Sequence, residues 1–198
     1  MKGSYRNSKP MQLTWHALDP LWQAGEAIVQ EGLPHTQLAP IWQMLILGDG
    51  SLTRHLYLLS GEPIEVEVID MSSIAMDSDG VPEMIHMVPG PRLRRQTWLC
   101  TASGQRLAYV TSWWEANKIE QSLQSHAVPI WTNLTCLRSE LYRELRRVIC
   151  GHSSALESAF GQLGPFWGRY YLVWYNGKPL VLAYEVLSPY LMGYIGSA

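Results

Sequence analysis

Between Thr36 and Leu47, in "TQLAPIWQMLIL", the apolar residues Leu38, Ile41, Trp42, Leu45 and Ile46 recur at helical spacing, and Gly48 follows as a stop. A second helix is predicted in "SLTRHLYLLSG", with Ser51 as its cap and Gly61 as its end. The pattern then changes period. "PIEVEVIDM" alternates, setting Ile64, Val66 and Val68 against Glu65, Glu67 and Ile69, as a half-buried strand does. Residues 71–91 hold no sustained period and carry turn formers at both ends, so a long loop is expected there.

Two strands, "RLRRQTWLCT" and "RLAYVTSWWE", follow around "ASGQ", where Gly104 can supply the positive φ of a hairpin turn. "ANKIEQSLQSH" predicts a short helix, and Pro129 breaks the chain after it. In "IWTNLTCLRSELYRELRRVIC" the residues Leu134, Leu137, Leu141, Leu145 and Val148 mark one face of an amphipathic helix. Glu140, Arg143, Glu144 and Arg147 fall on its solvated face. Asn176-Gly177, between "FWGRYYLVWY" and "KPLVLAYEVLSP", is the strongest hairpin signal in the chain. Adjacent hairpins with a few helices predict an α+β fold on an antiparallel sheet, as a single domain over 13–198 behind an N-terminal tail at 1–12.

Composition narrows the function classes. The formal net charge of -2 provides no diffuse positive field, so no nucleic acid partner is expected. No apolar run approaches the roughly 20 residues of a membrane span, so a soluble, cytoplasmic protein without membrane insertion is expected, as a monomer. Cys100, Cys136 and Cys150 are odd in number, widely spaced and outside any C-x-x-C pair, and read as reduced thiols rather than a zinc site. The histidines form no H-E-x-x-H or H-x-H pattern, and "GDGSL" is neither a nucleophile elbow nor a phosphate loop. The aromatic runs "SWWE" and 167–175 are read as core, since the charge around them is not basic.

What remains is charge on buried faces. If Leu93 and Leu99 face the core, Arg95 and Thr97 share that face, while Arg92, Arg94, Gln96 and Trp98 take the other. Arg95 is thus the inward arginine, and Arg92 and Arg94 are assigned to a solvated or loop-pairing face. Glu185 falls in register with Val181, Ala183 and Leu187 in a strand apolar on both sides, where a carboxylate must be neutralised or matched. Two readings fit: Arg95 and Glu185 form a buried structural ion pair, or they line a closed pocket for a small aromatic or cyclic acid.

The order "LGDGSLTRHL", "RRQTWLCTASGQRLAYVTSWW", "PIW" and "FWGRYYLVWYNGKPLVLAYEVLSP" resembles the chorismate pyruvate-lyase family, over roughly residues 38–190. The likeness is greatest to its branch in photosynthetic microbes and plastids. The resemblance implies a six-stranded antiparallel sheet with helices over one face and a buried ligand pocket. It implies conversion of chorismate to 4-hydroxybenzoate and pyruvate for quinone biosynthesis, plastoquinone included, with neither metal nor organic cofactor. Carried onto this chain, it assigns Arg95 to the ring carboxylate, the backbone amides of Leu52 and Ile130 to the same group, and Glu185 to catalysis. Glu185 is expected to be kept protonated by apolar surroundings so that it can assist the departing ether oxygen. Classical members carry a second arginine after W-G-R where this chain has Tyr170, and Pro-Leu-Gly where it has Pro129-Ile130-Trp131. The alternative function is a non-catalytic sensor of small aromatic acids on the same fold; no helix-turn-helix reader precedes the domain in this sequence.

Overall fold

The computed structural model describes residues 15–34, 37–74, 81–118 and 141–198. The predicted tail, most of the helix at 116–126, the first half of the helix at 130–150, Ile130 and Cys136 lie outside the described residues.

The sheet is built from β1 (Asp19–Gly25), β2 (Ile64–Ile74), β3 (Arg92–Thr101), β4 (Arg106–Glu115), β5 (Leu141–His152), β6 (Phe166–Tyr175) and β7 (Lys178–Leu187). Its order is β1-β5-β6-β7-β4-β3-β2, and every neighbouring pair is antiparallel. The α+β class and antiparallel sheet thus match expectation, with seven strands among the described residues instead of six. Helices α1 (Glu26–Glu31), α2 (Pro40–Leu47) and α3 (Leu52–Ser60) cover one face. The other face is covered by Trp15 and Leu18, a 3-10 helix at Glu83–Met87 and α4 (Ser154–Phe160). A last short helix, α5 (Met192–Ile195), packs beside α3.

Local chemistry sets the helix ends as expected. Ser51 Oγ accepts from the Arg54 amide at the start of α3, and Gly61 closes it at φ 71° in the left-handed region. The β6–β7 hairpin turns on Asn176 and Gly177, both at positive φ (48° and 71°), as a tight two-residue turn demands. Residues 71–91 are not one loop, because β2 runs on to Ile74 and the 3-10 helix follows at 83–87.

The largest correction concerns residues 141–152, which form strand β5 and not a helix. Its pairing with β6 shifts register between Leu145 and Arg147, leaving Arg146 as an extra residue. Leu141, Arg143 and Leu145 therefore share a face with Val148 and Cys150. The three-residue step across the bulge imitates helical spacing.

Each face of the sheet carries its own apolar cluster. Trp98, Tyr109, Trp113, Tyr170, Leu172 and Tyr184 belong to the face under α4. On the opposite face Leu99, Val110, Val148 and Leu187 pack under α1–α3, and a second group around Trp114, Val173 and Val181 lies further along the strands. Charged residues fill the seam between those two groups. A sheet covered on both faces also explains why Arg94 is buried and not solvated. Its Nη2 reaches Asp70 Oδ2 at 2.8 Å and Ser72 Oγ at 3.2 Å, on the face away from Arg95. That bond holds the Asp70 carboxyl below its usual range. Arg92 does pair with a loop, donating from Nε to the Val88 carbonyl.

Candidate functional site

Arg95 faces the side that period-two counting assigns to it. It is 1% exposed, in cross-strand register with Ser112 of β4, and lines a small cavity with Thr97, Leu99 and Val110. Glu185 and Leu52 line the same cavity, so three of the four sequence-predicted residues come together in space. The fourth, Ile130, lies outside the described residues. The start of α3 contributes Ser51, Leu52 and Thr53, so that the positive end of a nine-residue helix abuts the cavity beside a guanidinium. Burial pushes the Arg95 pKa down to about 10, which still leaves it a cation at neutral pH.

Glu185 does not pair with Arg95 in the manner of the structural reading. It is 5% exposed and accepts a hydrogen bond on Oε2 from Arg169 Nε at 2.7 Å, with Arg169 Nη2 in ionic contact with the same oxygen at 2.7 Å, while Tyr171 donates its hydroxyl to Oε1 at 2.7 Å. Arg169 is itself only 2% exposed, and its Nη1 donates to the carbonyls of Leu45, Ile46 and Gly48 at 2.9, 3.1 and 2.8 Å. One guanidinium thus ties the carboxylate to the C-terminal end of α2, where unsatisfied helix carbonyls favour a cation.

The expectation of a protonated Glu185 is overturned by this environment. Desolvation works to raise its pKa, but the charges of Arg169 and Arg143, with hydrogen bonds from Tyr171 and Arg169, outweigh it and lower the value. The group is a carboxylate at neutral pH. Because its folded-state pKa lies below the unfolded value of about 4.5, its stabilisation is whole above that pH and is lost as pH falls through the folded-state value. Glu185→Gln should therefore flatten the pH dependence of stability below pH 4.5, read as the slope of denaturation midpoints in acid. An unchanged slope would show that folding does not lower the Glu185 pKa.

Two residues of the site were assigned no role from the sequence. Arg143, read as a solvated helix position, is 9% exposed, donates Nη1 to the Gly50 carbonyl and stacks over the Tyr171 ring at 4.4 Å. Arg169 belongs to the W-G-R motif, and its partner is hidden by a register shift in the β6–β7 hairpin between Val173 and Trp174. Counting back from Asn176-Gly177 without a bulge sets Arg169 opposite Tyr184. The bulge moves it opposite Glu185.

Gly168, before that arginine, has a steric reason to be glycine. A Cβ there would sit 2.8 Å from the Glu185 carbonyl oxygen, backbone that cannot swing aside. Gly168→Ala should cost about 1–3 kcal/mol as an overpacked site, measured by denaturant unfolding, and a change under about 0.5 kcal/mol would refute the steric account.

The cavity between these groups measures about 30 Å³. An apolar cavity of about 150 Å³ admits benzene, so an aromatic ligand enters only by displacing groups that now stand in this space. Among the described residues no cluster of His, Cys, Asp and Glu is arranged to hold a metal ion, and Cys100 and Cys150 are free thiols. No helix among the described residues is long and apolar enough to cross a membrane.

Fold and site together define a single α+β domain with a cation-rich cavity buried against an antiparallel sheet. Its fold is shared with the effector domain of PhnF from Mycobacterium smegmatis, with a TM-score of 0.56 at 13% identity over 73% of this chain and 91% of that one. The longer PhnF chain aligns with a TM-score of 0.54 at 14% identity, over 72% of this chain and 65% of its own length. At that identity the likeness concerns the fold alone. In sequence, the ycf21 protein of Cyanophora paradoxa is 36% identical over 169 residues, 85% of this chain and 88% of its own. The ycf21 protein of Pyropia yezoensis is 31% identical over 157 residues, 79% and 86% of the two chains. The family model described as Chorismate pyruvate-lyase Rv2949c-like matches residues 45–195, and the chain belongs to that family.

Proposed function

We propose that this protein is a chorismate pyruvate-lyase, acting in the cytoplasm to release 4-hydroxybenzoate and pyruvate from chorismate for quinone biosynthesis. The observation that carries this reading is the meeting of Arg95, the α3 start at Leu52 and Glu185 around one cavity, within a chain of this family.

The reaction asks little of a catalyst beyond placement. The ring–ether C–O bond breaks, the hydrogen on the neighbouring hydroxyl-bearing carbon leaves, and the electrons of that C–H bond complete the aromatic ring. The enolpyruvyl methylene gains a proton, so pyruvate and 4-hydroxybenzoate together hold every atom of chorismate. Aromatisation supplies the driving force, and fixing the reacting conformer supplies rate. In this scheme Arg95 holds the ring carboxylate through its planar fork, with the Leu52 amide and, as the family resemblance suggests, that of Ile130 alongside. Glu185, being ionised, accepts a hydrogen bond from the ring hydroxyl. It fixes the ring's orientation and does not donate to the leaving oxygen.

A second reading is favoured by one observation. Each oxygen of Glu185 already accepts a hydrogen bond, from Arg169 and Tyr171, as suits a binding module that holds a small aromatic acid without chemistry. Incubating the purified protein with chorismate, assaying pyruvate and 4-hydroxybenzoate, and titrating 4-hydroxybenzoate by calorimetry separates the two. Turnover establishes the lyase, and tight binding without turnover establishes the sensor. Absence of both refutes an acid-binding role altogether.

A further inference from the structure

The buried cavity has an open neighbour. A surface pocket of about 300 Å³ is lined by Ser51, Thr53, Arg54, Tyr57 and Ile64. Ser51 and Thr53 also line the buried cavity, so the first turn of α3 is a wall common to both. Strand β2 supplies the facing wall. Its Val66 borders the inner cavity and its Ile64 the outer pocket, two residues and about 7 Å apart on one side of the strand. The two spaces therefore lie end to end along the seam between α3 and β2. Because β2 is a terminal strand of the sheet, that seam runs along the sheet's edge. Arg54 stands at its outer end. The residue is exposed, and its guanidinium carbon lies 5.8 Å from the centre of the Tyr57 ring, which holds the charge at the mouth. No carboxylate among the described residues forms an ion pair with it.

An acid bound for Arg95 must leave water before it meets that buried guanidinium, and shedding the hydration of a carboxylate is costly. A cation at the mouth raises the local concentration of anions and offsets part of that cost on the way. Resting on the acid-binding site of the proposed function, we propose that Arg54 is the residue that admits the ligand: it pairs with the carboxylate in the outer pocket, and the anion then passes between α3 and β2 to Arg95. The pairing exists only in transit. It therefore lowers the barrier seen from both sides, speeding entry and release by the same factor, and leaves the equilibrium where the inner cavity sets it. Product release benefits as much as substrate capture, since 4-hydroxybenzoate keeps the ring carboxylate.

The test measures association and dissociation rates of 4-hydroxybenzoate by stopped-flow tryptophan fluorescence, beside calorimetry for Kd, in the parent protein and in Arg54→Gln, Arg54→Lys and Arg54→Glu. Gln, Lys and Glu all suit an exposed helical position, so the fold is kept. In Arg54→Gln the association rate should fall roughly three- to tenfold, the dissociation rate should fall by the same factor, and Kd should stay within about twofold. Arg54→Lys should recover most of both rates, because passage asks for the charge and not for the planar fork. Arg54→Glu should slow entry beyond tenfold. Raising salt from about 20 to about 200 mM should slow entry more in the parent than in Arg54→Gln, as expected for an exposed charge. A weakened Kd with an unchanged association rate would place Arg54 in the bound complex and overturn the transit role. Unchanged rates in Arg54→Gln would overturn it equally. A parent protein that binds 4-hydroxybenzoate without turning over chorismate removes the lyase reading and leaves the role of Arg54 to be decided by these rates, whereas a parent that binds no acid removes both.

Discussion

Arg169→Met should be the most destabilising single substitution in the site, costing about 3–5 kcal/mol, because it removes the guanidinium bonded to the buried Glu185 carboxylate. The arginine satisfies both that carboxylate, at 2.7 Å, and three main-chain carbonyls at the end of α2, so its removal orphans acceptors on two elements at once. For a domain of this size each kcal/mol corresponds to roughly 2–4 °C in Tm, so a fall of about 10 °C is expected in a thermal scan. Adding Glu185→Leu should restore a large part of the loss, since the buried charge goes with it and apolar replacements of buried ion pairs are often neutral. Recovery should be incomplete, as the α2 carbonyls stay unmet. A single variant within about 1 kcal/mol of the parent would show that the pair behaves like a surface one.

The same ion pair shows how far the sequence reaches. Helix α3, with Ser51 at one end and Gly61 at the other, and both hairpins around Gly104 and Asn176-Gly177 are legible, because each is fixed by residues that supply a cap or a positive φ locally. Arg95 is legible for a related reason. Pairing of β3 with β4 keeps an unbroken register from Arg92 to Leu99, so phase counted from either leucine carries through to the arginine.

Bulges defeat that counting. In β5 the extra residue at Arg146 puts Leu145 and Val148 on one face, three apart, which reads as a helix and sends Arg143 to solvent on paper. In the folded chain it lines the cavity. In β6–β7 the shift after Val173 moves Arg169 from Tyr184 to Glu185, so the counterion of the buried carboxylate could not be paired from the turn alone. The protonation state of Glu185 follows from that pairing. An apolar strand around a glutamate implies a raised pKa only while no cation is seen, and the cation stands one register step away. Arg94 shows another limit. Alternation assigns a residue to a face, but whether that face meets water depends on α4 and the 3-10 helix, elements distant in the chain.

Arg95→Met should abolish the function of the site while sparing the fold more than Arg169→Met does. Truncating one partner of a buried, hydrogen-bonded charge pair costs a complex about 2–5 kcal/mol, which at about 1.4 kcal/mol per tenfold is roughly 30- to 4,000-fold in affinity. Loss on that scale is expected both in 4-hydroxybenzoate binding and in kcat/KM for chorismate, because the ring carboxylate persists from substrate to product. Arg95→Lys should fall between, keeping the charge but losing the fork that engages both carboxylate oxygens. Stability should move less, since a guanidinium whose pKa burial already pulls down to about 10 is itself costly to hold in the fold. This contrast with Arg169 separates the two arginines by role: Arg169 is bonded to Glu185 and the end of α2, whereas Arg95 stands at the cavity wall, where a bound anion would offset part of its desolvation cost. Calorimetry with 4-hydroxybenzoate, beside a denaturation midpoint for each variant, reads both quantities. Product affinity within threefold of the parent in Arg95→Met would remove Arg95 from the site and, with it, the assignment of the cavity to the ring carboxylate.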